Sequence, residues 1–186
     1  MEDETLMTEV RDGNAGRLAL LFDRHYRPLY RYFYHLTGRR EPSEDLVQEV
    51  FFRILKYSRT FQQGTRFRPW AYQIARNVHI DFVARHKGET ALPDDGEGCM
   101  LEFPSQERHP EDQLRRKQDV ALLRLALAAL PVDKREVLVL SRFHDMKYEE
   151  IASVLKCETG AVKVRVYRAV RELGDRFFAL RGEKAS

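Results

Sequence analysis

Residues 148–173, YEEIASVLKCETGAVKVRVYRAVREL, carry two apolar repeats of helical period separated by a short break. The first repeat sets Ile151, Ala152 and Leu155 inward, and the second sets Val162, Val166, Ala169, Val170 and Leu173 inward. Lys156 and Cys157 fall at the turn between them, so the pattern is that of a helix-turn-helix. Opposite the second stripe lie Val164, Tyr167, Arg168 and Arg171, flanked by Lys163 and Arg165. Cations on such a face neutralise phosphates, while short or planar side chains reach base edges in a major groove wide enough for a helix. The alternative is a solvated basic helix in an all-helical domain, which the pairing of the two repeats disfavours.

Charge is distributed unevenly around this motif. The net +3 of the 186-residue chain conceals a segment, residues 89–112, with eight carboxylates and one cation, Arg108. The stretches on either side of it are each net basic. Two basic units therefore flank an acidic connector, which favours polyanion binding by the units and opposes it for the connector. Residues 87–109 have no helical period and include Gly88, Pro93, Gly96, Gly98 and Pro104, as a flexible linker does.

Ahead of the connector, residues 14–38 form a long helical pattern with Leu18, Leu21, Phe22, His25, Tyr26, Leu29, Phe33 and Leu36 on one stripe, Pro28 inside it and Gly38 as its stop. Pro28 is expected to bend or divide the helix. His25 reads as a core histidine rather than a metal ligand, since no second ligand lies beside it at helical spacing. Ser43 is expected to cap a second helix over residues 44–57 that buries Leu46, Val47, Val50, Phe51, Ile54 and Leu55. Its outer face then carries Asp45, Gln48, Glu49, Phe52 and Lys56, and a phenylalanine there is either a partner contact or one of the solitary exposed apolar residues common on any surface.

Residues 59–68, RTFQQGTRFR, mix aromatics with arginines around Gly64. Phe61 and Phe67 either offer faces for unstacked bases, with Arg66 and Arg68 on phosphates, or anchor the loop in the core. Pro69 fits the first turn of a third helix, where a missing N–H costs nothing; Trp70, Ile74, Val78 and Phe82 form its inner stripe and Asp81 pairs with Arg85. After the connector, a helix opened by Pro110 runs to Leu130, with Val120, Leu123, Leu127 and Leu130 inward. Asp133 with Glu136 resembles a capping box, and Val132 with Val137 a hydrophobic staple, at the start of the next helix.

No nucleotide-binding glycine loop, nucleophile elbow or zinc-protease motif occurs, and the carboxylates lie at caps, in salt-bridge spacings or in the connector. The chain is expected to be non-enzymatic, with no cofactor and no metal. Its two cysteines, Cys99 and Cys157, cannot furnish a four-cysteine zinc site. The acidic start lacks the order of a secretory signal and no apolar run reaches the roughly 20 residues of a membrane span, so a cytoplasmic protein without membrane insertion is expected.

Two blocks together resemble a family, the bacterial sigma factors of the compact extracytoplasmic-function group. DLVQEVF with RPWAYQIARNVHIDFVAR is similar to their second conserved region, and LPVDKREVLVLSRF through GAVKVRVYRAVREL to their fourth. The resemblance implies an all-α protein of two small helical domains, residues 1–87 and 111–186, joined by a flexible acidic linker at 88–110. It implies core RNA polymerase and promoter DNA as partners, and a cognate anti-sigma factor. Position by position, Asp45, Gln48, Glu49 and Phe52 would contact the clamp helices of the largest polymerase subunits. Phe61, Gln62, Gln63, Gly64, Thr65, Arg66 and Phe67, with Asn77, would capture a flipped base of the minus-10 element, with Trp70 and Arg76 near the melting fork. Lys163, Arg165, Tyr167 and Arg168 match minus-35 contacts, with Val164 and Arg171 on the same face. Where the family often has Thr and Ser, this chain has Ala161 and Val164, so hydroxyl contacts are lost there and Val164 is left to meet a thymine methyl. The competing reading is a helix-turn-helix regulator that occupies DNA without joining polymerase; a third is an interaction protein with no nucleic-acid role.

Overall fold

A computed structural model describes residues 1–86 and 110–182, and among these every regular element is helical. The connector over residues 87–109, with Cys99, lies outside the described residues. The first half holds α1 (Asp3–Arg11), α2 (Leu18–Thr37), α3 (Arg40–Lys56) and α4 (Phe67–Arg85). The second holds α5 (Pro110–Ala128), α6 (Val132–Leu138), α7 (Tyr148–Leu155) and α8 (Thr159–Arg181).

Helix α1 has no counterpart in the sequence reading, which treated the acidic start only as the lack of a signal. Its acids sit in the first turn, where the helix dipole favours them, and it buries Leu6, Met7 and Val10. Asp3 reaches α2, with its carboxylate 2.7 Å from both Arg24 and His25. His25 is thus held by a carboxylate rather than by apolar packing alone, although its ring also lies against Phe67.

Helix α2 ends as expected at Gly38, whose φ of 70° suits glycine and whose N–H bonds the Tyr34 carbonyl at 2.8 Å. Pro28 does not divide it, because packing of the flanking turns on α3 outweighs one missing backbone bond. Helix α3 begins at Arg40, earlier than the pattern suggested, and Ser43 is not its cap. Ser43 is fully buried, donates to the Arg39 carbonyl at 2.5 Å and lies 3.0 Å from the Thr37 hydroxyl, which stitches the α2–α3 turn together. The inward stripe of α3 holds as read except at Leu55, which is exposed near the helix end.

In α4 the deepest side chains are Phe67, Ala71, Tyr72, Ala75, Val78 and His79, while Trp70, Ile74 and Phe82 are only partly buried. The helix is packed on two sides, by α3 and by α7, and the single stripe read from the sequence captured one of them. Asp81 pairs with Arg53 of α3 at 2.8 Å instead of with Arg85, whose Nε donates to the Asp81 carbonyl oxygen.

In the second half, α5 ends at Ala128, and Pro131 stands before α6. The expected capping box does not form. Asp133 lies inside the first turn, Glu136 is turned into the protein, and Val132 is exposed, so no staple closes over Val137. A π-helical turn, Val139–Phe143, leads toward α7. The helix-turn-helix forms as read: Lys156 takes the left-handed conformation at φ 52°, and the Cys157 N–H bonds the Ala152 carbonyl at 3.0 Å. Val170, placed inward by its period, is exposed.

The two halves pack together, α4 on α7 and α2 on both α6 and the π turn, and their buried apolar side chains form one continuous cluster. Arg135 of α6 donates to the Leu36 carbonyl near the end of α2 at 2.6 Å, and to the Leu130 and Ala128 carbonyls of its own half. A cation at that helix end also meets the negative pole of its dipole.

Candidate nucleic-acid interface

The exposed face of α8 follows from its period. Val162, Val166 and Ala169 are buried against α6 and α7, which turns Lys163, Val164, Arg165, Tyr167, Arg168 and Arg171 to solvent. Tyr167 is 68% exposed and Val164 48%, and among the described residues these four cations make no ion pair. An aromatic ring and a branched apolar side chain held out between unpaired cations form a surface that can meet phosphates and base edges together.

The aromatic loop is organised differently from its expected stacking role. Phe61 and Phe67 are 2% and 0% exposed, so neither has a face free for a base, and the anchoring alternative is the one realised. Phe61 packs on Trp70 with ring centroids 5.2 Å apart, and the Phe67 N–H donates to Glu4 of α1 at 3.0 Å. Between these anchors residues 62–65 form a turn closed by the Thr65 N–H on the Gln62 carbonyl at 3.1 Å, with Gly64 at φ 83°. A positive φ at the third turn position is what glycine permits without strain. Gln62, Gln63, Gly64 and Arg66 are left exposed, with Thr65 half-buried.

On α4, Asn77 is exposed and Trp70 half-buried, whereas Arg76 is engaged. Its Nε lies 3.2 Å from Glu136 of α6, whose other oxygen accepts the Tyr32 hydroxyl at 2.9 Å. Glu136 is 5% exposed. Burial pushes its carboxyl above the usual range, against the pull of Arg76 and the Tyr32 hydroxyl. This group escaped the sequence reading because Glu136 sat in a capping pattern and Tyr32 lay off the main stripe of α2. Nearby, the Tyr72 hydroxyl lies 2.9 Å from Nδ1 of His144, and Arg68 donates to the His144 carbonyl. Burial pushes His144 down to about 3, reinforced by His35, Arg68 and Arg31, and His79 down to about 4, reinforced by Arg135 and Arg76.

The third surface is the outer face of α3. Asp45, Gln48 and Phe52 are exposed, with Phe52 at 61%. Glu49 is drawn back, 2.6 Å from Arg53, which also holds Asp81. The four residues share one face, but Glu49 belongs partly to the α3–α4 seam. Among the described residues no helix is long and apolar enough to cross a membrane.

Comparison with known proteins agrees with this geometry. The profile of Sigma-70 region 2 matches residues 21–89, and that of Sigma-70 region 4 matches residues 121–173. The ECF RNA polymerase sigma factor SigE of Mycolicibacterium smegmatis is 32% identical over 181 residues, covering 93% of this chain and 68% of that one. SigM of Bacillus subtilis, also an ECF RNA polymerase sigma factor, is 28% identical, covering 82% of this chain and 90% of its own length. In fold, the chain resembles CnrH solved in complex with the cytosolic domain of CnrY, with a TM-score of 0.71, 23% identity, and coverage of 95% and 97% of the two chains. It also resembles RpoE of Bartonella quintana in complex with the anti-sigma factor NepR, with a TM-score of 0.64, 23% identity, and coverage of 85% and 94%. With both conserved regions matched in order and a relative aligned along nearly the whole chain, this protein belongs to the ECF RNA polymerase sigma factors.

Proposed function

We propose that the chain works as a two-grip promoter-specificity subunit in the cytoplasm, residues 1–87 forming the region 2 domain and 111–186 the region 4 domain. Asp45, Gln48, Glu49 and Phe52 dock on the clamp helices of core RNA polymerase. The turn at Gln62, Gln63, Gly64, Thr65 and Arg66 takes the flipped minus-10 base together with Asn77, while Phe61 and Phe67 support it from the core. Trp70 and Arg76 lie at the melting fork, and Lys163, Val164, Arg165, Tyr167, Arg168 and Arg171 read the minus-35 element. An anti-sigma partner fits the same reading, since RpoE was solved with the anti-sigma factor NepR and CnrH with the cytosolic domain of CnrY.

The observation that carries this assignment is Phe52, largely exposed between Asp45, Gln48 and Glu49 on a face that its own fold does not need. A regulator that occupied DNA without polymerase would leave it unexplained. Reconstituted transcription with core polymerase on a promoter library is the test. Phe52→Ala is expected to weaken core association, whereas Arg168→Ala is expected to keep core association and lose cognate promoters. Loss of core association by Arg168→Ala with the fold intact would reverse the assignment.

A further inference from the structure

We propose that α1 is a brace for the minus-10 turn, in which Glu4 and Arg11 are positioning residues that fix the two ends of residues 61–67 and so set base selectivity. The inference rests on the proposed reading that this turn, with Asn77, takes the flipped minus-10 base.

The turn does little to hold itself in place. Its internal closure is the bond from the Thr65 N–H to the Gln62 carbonyl, and Gln62, Gln63, Gly64 and Arg66 are exposed. A side chain at Gly64 would meet nothing within 4 Å, so the tip stands clear of its neighbours. Its position therefore comes from the flanks, and both flanks lead to α1. Glu4 Oε1 accepts the Phe67 N–H at 3.0 Å, and Arg11 Nη1 donates to the Phe61 carbonyl at a longer 3.4 Å. Asp12 steadies that guanidinium, 2.8 Å from its Nε. Glu4 and Arg11 are two helical turns apart, which puts them on one face of α1 and about 10 Å from each other at 1.5 Å per residue. One rigid helix thus spans the turn from end to end.

Two further observations set this apart from ordinary packing. Helix α1 is anchored by the buried Leu6, Met7 and Val10, whereas Glu4 and Arg11 are half-buried at the rim and direct their polar ends to the backbone of the turn. Helix α4 also depends on α1 at its start. Its N-cap residue, Arg66, makes no side-chain cap bond, and its first turn holds no acid. Glu4 supplies from another helix the carboxylate that a helix N-terminus favours. A carboxylate beside a surface that takes DNA opposes phosphate approach, so Glu4 is there for the backbone bond and not for the ligand.

The same helix also reaches Phe67 from its ring side. Asp3 lies 2.7 Å from His25, whose ring packs on Phe67 with centroids 4.9 Å apart. Consecutive acids of α1 therefore hold one anchor by its backbone and, through His25, by its ring. A rigid pocket rejects a wrong base by clash or by an unpaired polar group, whereas a loose one repacks around it. Slackening α1 therefore lowers discrimination at the minus-10 element and leaves the Phe52 and Arg168 faces as they are.

The test uses the full chain with core polymerase, bound to a library randomised over the minus-10 element behind a fixed upstream element selected by the unsubstituted protein. Glu4→Ala is expected to reduce preference for the favoured base at the flipped position by roughly fivefold, as loss of one hydrogen bond does, with core association unchanged. Glu4→Gln keeps an acceptor oxygen for the Phe67 N–H and is expected to restore the preference. Arg11→Met keeps the stem, removes the donor and is expected to lower the preference by about twofold, which keeps the question open to measurement if Glu4→Ala does not fold. Parental selectivity in folded Glu4→Ala and Arg11→Met would overturn the brace, and so would a Glu4→Gln protein as unselective as Glu4→Ala. Gln63→Ala separates the brace from the reading beneath it. A changed preference in Gln63→Ala beside parental preference in both α1 variants removes the brace alone. Unchanged preference in Gln63→Ala, Asn77→Ala and both α1 variants removes the assignment of the turn, and the brace with it.

Discussion

The Tyr72 hydroxyl lies 2.9 Å from Nδ1 of His144, a hydrogen bond across the seam between the halves. His144 is buried and lies in the field of His35, Arg68 and Arg31, so a proton placed on it loses hydration and meets like charge. Its ordinary value of 6.5 falls to about 3 in the fold, and that of His79 to about 4. Between those limits the unfolded chain binds protons that the folded chain does not. Stability is therefore full above about pH 6.5 and declines as pH falls through the window, by up to about 1.4 kcal/mol per pH unit for each histidine. Urea unfolding at pH 7 and pH 5 measures this, and His144→Gln should flatten the dependence. A midpoint that does not move with pH would show the histidines to be solvated.

Phe52→Ala should lower affinity for core polymerase by roughly thirtyfold, equivalent to about 2 kcal/mol, since exposed aromatics that become buried at an interface dominate its energy. Thermal unfolding of the free protein should change little, as Phe52 supports no part of the core. Fluorescence anisotropy with labelled protein and core enzyme reads the first quantity, and calorimetry the second.

Arg168→Ala should weaken minus-35 binding and reduce the slope of log affinity against log salt by about 1, the signature of one lost phosphate contact. Val164→Ser should act otherwise, changing which bases are preferred at the facing position while leaving the salt slope unchanged. Binding measured across a randomised minus-35 library at several salt concentrations separates the two. Equal salt slopes for Arg168→Ala and the parent would place Arg168 away from phosphate.

Phe67→Ala should destabilise the fold by about 3–5 kcal/mol, because it opens a cavity at a fully buried ring that lies against His25 of α2, Phe61 and Trp70. Gln63→Ala, on the exposed turn between the phenylalanines, should leave unfolding unchanged and alter only minus-10 recognition. Similar stability losses for both would contradict the anchoring of the loop.

These outcomes track what one-dimensional pattern can carry. The α8 face was readable because Val162, Val166 and Ala169 recur at helical period and all three are buried, which leaves the cations outside. The same period places Val170 inward, but it lies at the margin of the packed face and stays 42% exposed. Glu136 was read as a cap because Asp133 and Glu136 have the right spacing; its actual partners, Tyr32 and Arg76, are 104 and 60 residues away and leave no trace in local pattern. Phe61 and Phe67 stand in a loop without period, so composition alone left two roles open and packing chose between them. The acids of residues 1–5 masked Leu6, Met7 and Val10, whose spacing does carry one helical face.

Because Phe61 and Phe67 secure both ends of the turn at residues 62–65, the exposed side chains of Gln62 and Gln63 contribute little to keeping the protein folded. Gly64 is confined by its φ of 83°, but the exposed positions 62 and 63 can vary at little thermodynamic cost. If the turn reads the minus-10 element as proposed, it is a cassette: exchanging a few exposed residues would change which promoters are served, while the anchors and the stability they confer stay as they are.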